Sequence, residues 1–95
     1  MKRHVLLRAA KDIAEIEAYI HQESREAAAD VASRIRKAFD LVAERPEIGR
    51  PTSIPHLREW SVPGLPYVIP YRVRGDKVEI LRVFHTSRRR PSAWQ

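Results

Sequence analysis

The sequence contains no cysteine. That excludes a disulfide framework, a thiolate metal site and a cysteine nucleophile, and it fits a reducing compartment. Glycine occurs only three times, at widely separated positions, so no glycine-rich loop can cradle a phosphate. His4, His21, His56 and His85 are scattered and fall in no ligand-spaced motif, and no serine sits in a nucleophile elbow. The expectation is therefore no metal and no cofactor. Long apolar runs are missing too. Met1-Lys2-Arg3-His4-Val5-Leu6-Leu7-Arg8 holds three consecutive apolar residues, far short of a signal-peptide h-region or the roughly 20 residues of a membrane span. A soluble, cytoplasmic protein with no membrane association is expected.

What is present is positive charge. The 95 residues carry a net charge of +6. Residues 1–50 hold ten Lys/Arg against nine Asp/Glu, whereas residues 51–95 hold eight against three. The field belongs to the C-terminal half, and it suits nucleic acid, an acidic protein surface or anionic lipid without choosing among them. A chain this short is one domain, 1–95. It buries about two-thirds of the surface its unfolded form exposes.

Taken in order, Arg3–Arg8 reads as a short strand with apolar residues on both faces. Ala9–Glu23 reads as a helix whose apolar stripe is Ala9, Ile13, Ile16 and Ile20. Asp12 and Glu15 fall in its early turns, where carboxylates complement the helix dipole. Ser24 is an N-cap for a second helix, Arg25 to about Glu44, ended by Arg45-Pro46. Pro46–Pro55 is a stiff loop with three further breaks at Gly49, Pro51 and Pro55. Strands follow at Leu57–Val62, Tyr67–Val73 and Lys77–His85, the last two joined through Gly75-Asp76. Pro70 cannot donate to a ladder and belongs on an edge or a bulge. The order β-α-α-β-β-β predicts an α+β fold, a helical hairpin packed on a twisted, mainly antiparallel sheet.

Chemistry concentrates in Arg58, Arg72, Arg82, His85, Arg88, Arg89 and Arg90, with Trp60 and Trp94. Arginine grips phosphate with a planar fork, and aromatic faces stack on bases. A metal-free ribonuclease needs a base, cations for the pentavalent phosphate and an acid for the leaving oxygen. Arg58, Arg72, Arg82, His85 and Arg88 could fill those posts. The plainer alternative has His85 capping a strand end, both tryptophans packing, and the arginines solvated or paired with an acidic partner.

The same residues give the chain a resemblance to the ParE/RelE superfamily, the toxins of bacterial type II toxin–antitoxin modules. It is carried by Ala10-Lys11-Asp12-Ile13-Ala14-Glu15-Ile16 with Tyr19-Ile20, by Arg45-Pro46-Glu47-Ile48-Gly49-Arg50-Pro51, by Tyr67–Val73, and by Val78–His85 with Arg88. The resemblance implies a growth-inhibiting, plasmid-stabilising toxin neutralised by a cognate antitoxin whose C-terminal segment wraps it. RelE-like members cut mRNA on the ribosome, whereas ParE-like members inhibit DNA gyrase and carry no known catalytic residues. Val68 stands where RelE-like nucleases tend to carry an arginine, and Trp94 replaces their late tyrosine. The Gly49-Arg50 loop and the Val83-Phe84-His85 ending resemble the ParE side.

The expectation is thus a non-enzymatic gyrase inhibitor, with Arg82, His85, Arg88, Arg89, Arg90 and Trp94 as target-binding candidates. The alternatives are a RelE-like, ribosome-dependent mRNA endoribonuclease and a non-toxic protein-binding module. An acidic or amphipathic antitoxin segment is expected over the sheet and the helical hairpin.

Overall fold

A computed structural model describes residues 1–87 of the chain. Arg88, Arg89, Arg90 and Trp94 lie outside the described residues. The elements are β1 (Lys2–Val5), α1 (Leu7–His21), α2 (Arg25–Glu44), a single 3-10 turn (Pro46–Ile48), β2 (Arg50–Pro51), β3 (Leu57–Ser61), β4 (Tyr67–Arg74), β5 (Lys77–Ile80) and β6 (Phe84–His85). They form one mixed sheet in the order β1-β5-β4-β3-β2, with β6 also on β4. β1 runs parallel to β5, and the other pairs are antiparallel. The helical hairpin covers one face.

α2 occupies the span its pattern predicts. The Ser24 hydroxyl accepts the Ala27 N–H at 3.1 Å, and Arg45-Pro46 ends the helix. Ala28, Ala32, Ile35, Phe39 and Val42 are buried on its apolar face. α1 starts two residues earlier than its apolar stripe suggests, with Leu6 at the N-cap and no side-chain cap. Strand therefore passes directly into helix, and Leu7 and Arg8 are helical. Ala9 and Ile13 are buried, but Ile16 and Ile20 are only half-buried.

The sheet's inner face supplies Ile69, Tyr71, Val78 and Ile80, all fully buried. Cross-strand registers of Tyr71 with Arg58 and Ile80, and of Ile69 with Trp60, fix that face. Burying about 20 apolar residues at ~25 cal/mol per Å² is the main stabilising term for so small a domain.

The last third departs from expectation at one place. Lys77–His85 is not a single strand: β5 ends at Ile80, and β6 begins at Phe84. The cause is Pro70 on the neighbouring β4. Its carbonyl accepts the Leu81 N–H at 3.0 Å. In an extended strand a residue's nitrogen faces the same side as its carbonyl, so the missing Pro70 N–H is missing on that side. Two β4 residues, Ile69 and Pro70, then oppose three, Leu81 to Val83, which is a bulge. Pro70 sits in a central strand, and the bulge is what makes that possible.

Candidate functional site

The bulge leaves the Val83 N–H without a ladder partner. Asp12, from the second turn of α1, accepts it at 2.9 Å. The same carboxylate takes the Arg82 guanidinium in a two-pronged contact at 2.7 and 3.1 Å. This pair is mostly shielded, and the fork with Asp12 raises the Arg82 pKa above its ordinary value. Asp12 thus ties α1 to the gap between β5 and β6. Arg82 also lies over the Phe84 ring, 4.5 Å from its centroid.

Beside this clamp runs a groove of about 480 Å³ between α1 and β6. Glu15, Ile16, Tyr19 and Ile20 line one wall, and Tyr67, Val83, Phe84 and His85 the other, with Asp12 and Arg82 at the polar end. Tyr19 is 70% exposed, a large aromatic side chain left to solvent. Tyr67 and His85 meet edge to face, centroids 5.4 Å apart. The Ser87 N–H and hydroxyl both reach His85 Nδ1, at 3.1 and 2.7 Å. A backbone N–H only donates, so Nδ1 accepts, and the proton of the neutral imidazole sits on Nε2.

The other described arginines of the sequence cluster, Arg58 and Arg72, are elsewhere. Arg58 Nη1 donates to the Gly49 carbonyl at 2.7 Å and to that of Glu47 at 3.4 Å. It holds the 3-10 turn against β3. Arg72 Nε donates to Glu79 at 2.7 Å, on the sheet's outer face, with Arg74 at 3.8 Å and His4 at 4.0 Å from the same carboxyl group. The Arg72 hydrogen bond holds the buried Glu79 below the usual carboxylate range. Arg58 and Arg72 border a second hollow of about 420 Å³, beside Pro51, Thr52, Ile54 and His56. His85 pairs with Tyr67 at the start of β4, while Arg72 is five residues further along it. At about 3.4 Å per residue that is ~17 Å.

The candidate residues therefore fall into two groups. Arg82 and His85 share the α1–β6 groove; Arg58 and Arg72 flank the hollow near the other end of β4. Asp12, Glu15, Tyr19 and Tyr67 belong to the groove and were absent from the sequence list of site residues. The available signal was Tyr19, an aromatic residue beside Ile16 and Ile20 that widens the apolar stripe beyond what the helical hairpin can cover. Among the described residues no three His, Asp or Glu side chains come together to hold a metal ion. No helix of the described residues is long and apolar enough to cross a membrane.

Comparison with known proteins gives the chain's relatives. A family profile of the ParE toxin of the type II toxin–antitoxin system parDE matches residues 5–90. The Y4kP protein of Sinorhizobium fredii is 46% identical over 85 residues, covering 90% of this chain and 88% of its own. Toxin RelE2 of Caulobacter vibrioides is 43% identical over 81 residues, covering 85% of this chain and 90% of its own. A structure of the chromosomal ParDE toxin–antitoxin system from P. aeruginosa superposes with a TM-score of 0.80 at 24% identity, over 92% of this chain and 97% of that one.

Proposed function

Because the chain belongs to the ParE toxin family of type II toxin–antitoxin systems, we propose that it arrests growth as a protein inhibitor of DNA gyrase. We propose further that a cognate antitoxin neutralises it by laying an amphipathic segment in the α1–β6 groove. The observation that supports the first part is how Arg58, Arg72 and Arg82, the described candidate arginines, are committed. A metal-free ribonuclease must converge a base, cations and an acid on one phosphate. Here Arg58 holds backbone carbonyls, Arg72 holds Glu79, Arg82 holds Asp12, and the two groups lie apart along β4. Val68, on the strand where the nuclease branch tends to place an arginine, is fully buried.

The groove supports the second part. Ile16, Tyr19, Ile20, Tyr67 and Phe84 give it an apolar length, and Glu15 and Arg82 give it a polar end. That is the shape and chemistry a helix-in-groove partner uses. Burial of Tyr19 and the half-exposed isoleucines would stabilise the toxin by mass action.

His85 favours a second reading, the mRNA endoribonuclease. His85 lines the same groove as Arg82, an imidazole beside a cation. One induction experiment separates the two. Expression without antitoxin should block gyrase supercoiling and accumulate cleaved gyrase–DNA complexes, with bulk mRNA intact. Normal supercoiling together with rapid mRNA loss would assign the protein to the nuclease branch instead.

A further inference from the structure

The two edges of the sheet are not alike. At one side β2 is two residues long, Arg50–Pro51, and proline removes a donor. At the other side β1, Lys2–Val5, is a full edge. Lys2 and Leu6 donate their N–H groups to Asp76 and Ile80, so the even-numbered residues face β5. The N–H and C=O groups of Arg3 and Val5 point away from the sheet, and no described residue meets them. Lys2, Arg3 and His4 are exposed along this edge.

Two features beside the edge specify what would complete it. On the outer face Lys2, Lys77 and Arg74 stand in one row across β1, β5 and β4. Like charges directly opposite are destabilising, and among the described residues neither lysine has a carboxylate within salt-bridge distance. On the inner face a hollow of about 320 Å³ opens next to β1. Val5, Ala10, Ile13, Ala14 and Phe39 give it an apolar part, and Arg3, Glu17 and Arg36 complete its lining, with Arg36 paired to Glu17 at 3.4 Å and Arg3 to Asp40 at 2.9 Å.

We infer that the free edge of β1 is a docking site for an extended, acidic segment of a protein partner, which adds to the sheet as a further strand. Its outward side chain beside Lys2 is Asp or Glu and extends the cationic row with the missing charge. Its inward side chains are small and apolar and fill the Val5–Ala10–Ala14 hollow. Only a polypeptide supplies donors and acceptors alternately at strand spacing. A nucleic acid offers phosphate acceptors to the N–H groups and leaves the Arg3 and Val5 carbonyls without donors. A second copy of the chain would bring Lys2-Arg3-His4 against its own like charges. The inference stands on the edge itself and does not depend on the target of the toxin.

The test is a titration of ¹⁵N-labelled protein with the peptide acetyl-Glu-Val-Glu-Val-Glu-amide, followed by amide shifts and hydrogen exchange. Exchange at the Arg3 and Val5 amides should slow at least tenfold at saturation. A peptide N-methylated on alternate residues should lose that protection. The double variant Lys2→Glu/Lys77→Glu should reverse the preference, taking the matching lysine peptide instead. Val5→Pro deletes the outward N–H along with the valine side chain and should weaken binding at least tenfold, whereas Val5→Ala, which trims the side chain and keeps the N–H, should not. The inference is overturned if the methylated peptide protects equally, or if the shifts map to the α1–β6 groove. It is also overturned if an oligothymidine gives the same footprint, or if β1 becomes protected through self-association without peptide.

Discussion

Gly49→Ala probes the tightest contact between the 3-10 turn and the sheet. Gly49 has φ −69° and ψ 151°, a conformation any residue adopts, so the backbone itself does not demand glycine. The demand comes from Tyr71. Its ring is fully buried, and its hydroxyl donates to the Pro46 carbonyl at 2.7 Å while accepting the Gly49 N–H at 2.8 Å. Burial pushes the Tyr71 pKa above its ordinary value, so the phenol remains a donor. A methyl group at position 49 would lie 2.6 and 2.7 Å from Tyr71 Cε1 and Cζ, and closer still to the hydroxyl oxygen. The ring must move. Overpacking a core costs about 1–3 kcal/mol, and each hydroxyl hydrogen bond lost costs about 1 kcal/mol. The reduced freedom of the unfolded chain returns about 0.5 kcal/mol. The expected loss is ~3 kcal/mol, or a Tm drop of about 12–24 °C for a domain of this size. Tyr71→Phe alone should cost about 1–3 kcal/mol, since it strands the Gly49 N–H and the Pro46 carbonyl. The double variant loses the hydroxyl's hydrogen bonds once, whereas both single variants lose them, although the methyl group still meets Cε1 and Cζ. Its cost should fall short of the sum of the singles by ~1 kcal/mol or more. Urea unfolding followed by tryptophan fluorescence measures all three. A Gly49→Ala protein within ~0.5 kcal/mol of the parent, or an additive double variant, would refute this account of the turn.

Two further outcomes follow from the ion pairs. Asp12→Ala should destabilise the domain more than Arg82→Ala, by about 1 kcal/mol, because it removes the acceptor of the Val83 N–H as well as the fork; equal losses in denaturant titrations would mean that the backbone contact contributes nothing. Glu79 has a folded-state pKa below its unfolded value, so its contribution is present above the unfolded pKa and disappears as pH falls through the folded one. Stability should therefore decline on acidification from pH 5 downward more steeply in the parent than in Glu79→Gln, and parallel ΔG–pH curves would contradict this.

The helical hairpin could be read from the sequence because its signals are local. Ser24, the 3.6-residue apolar spacing and Arg45-Pro46 each act within a few residues, and α2 lies where they place it. The turn at Gly75 is equally local, with φ +63° at the glycine. The start of α1 was less clear, since Leu6 offers no cap and a strand residue gives way to a helical one without a turn. The division of the last strand had a visible cause, Pro70, but its rescuer was out of sight. Nothing near Asp12 announces that it will meet Val83, 71 positions away. For the same reason Arg82 looked like a free cation in the sequence and is half of a clamp in the fold. Arg58 and Arg72 likewise looked like neighbours of His85 because strand order in the chain says little about position along a strand. Charge composition located a basic half; pairing within the sheet decided which of its cations remain open.

β1 touches the sheet only through β5, where Lys2 is beside Lys77 and Val5 beside Ile80. The first strand to be synthesised must wait for almost the last, and Asp12 waits longer still. A nascent chain that stops short of β5 leaves β1 without its strand partner, and such non-local closure is slow. The folded domain is consequently a property of chains that have reached β5 and Val83.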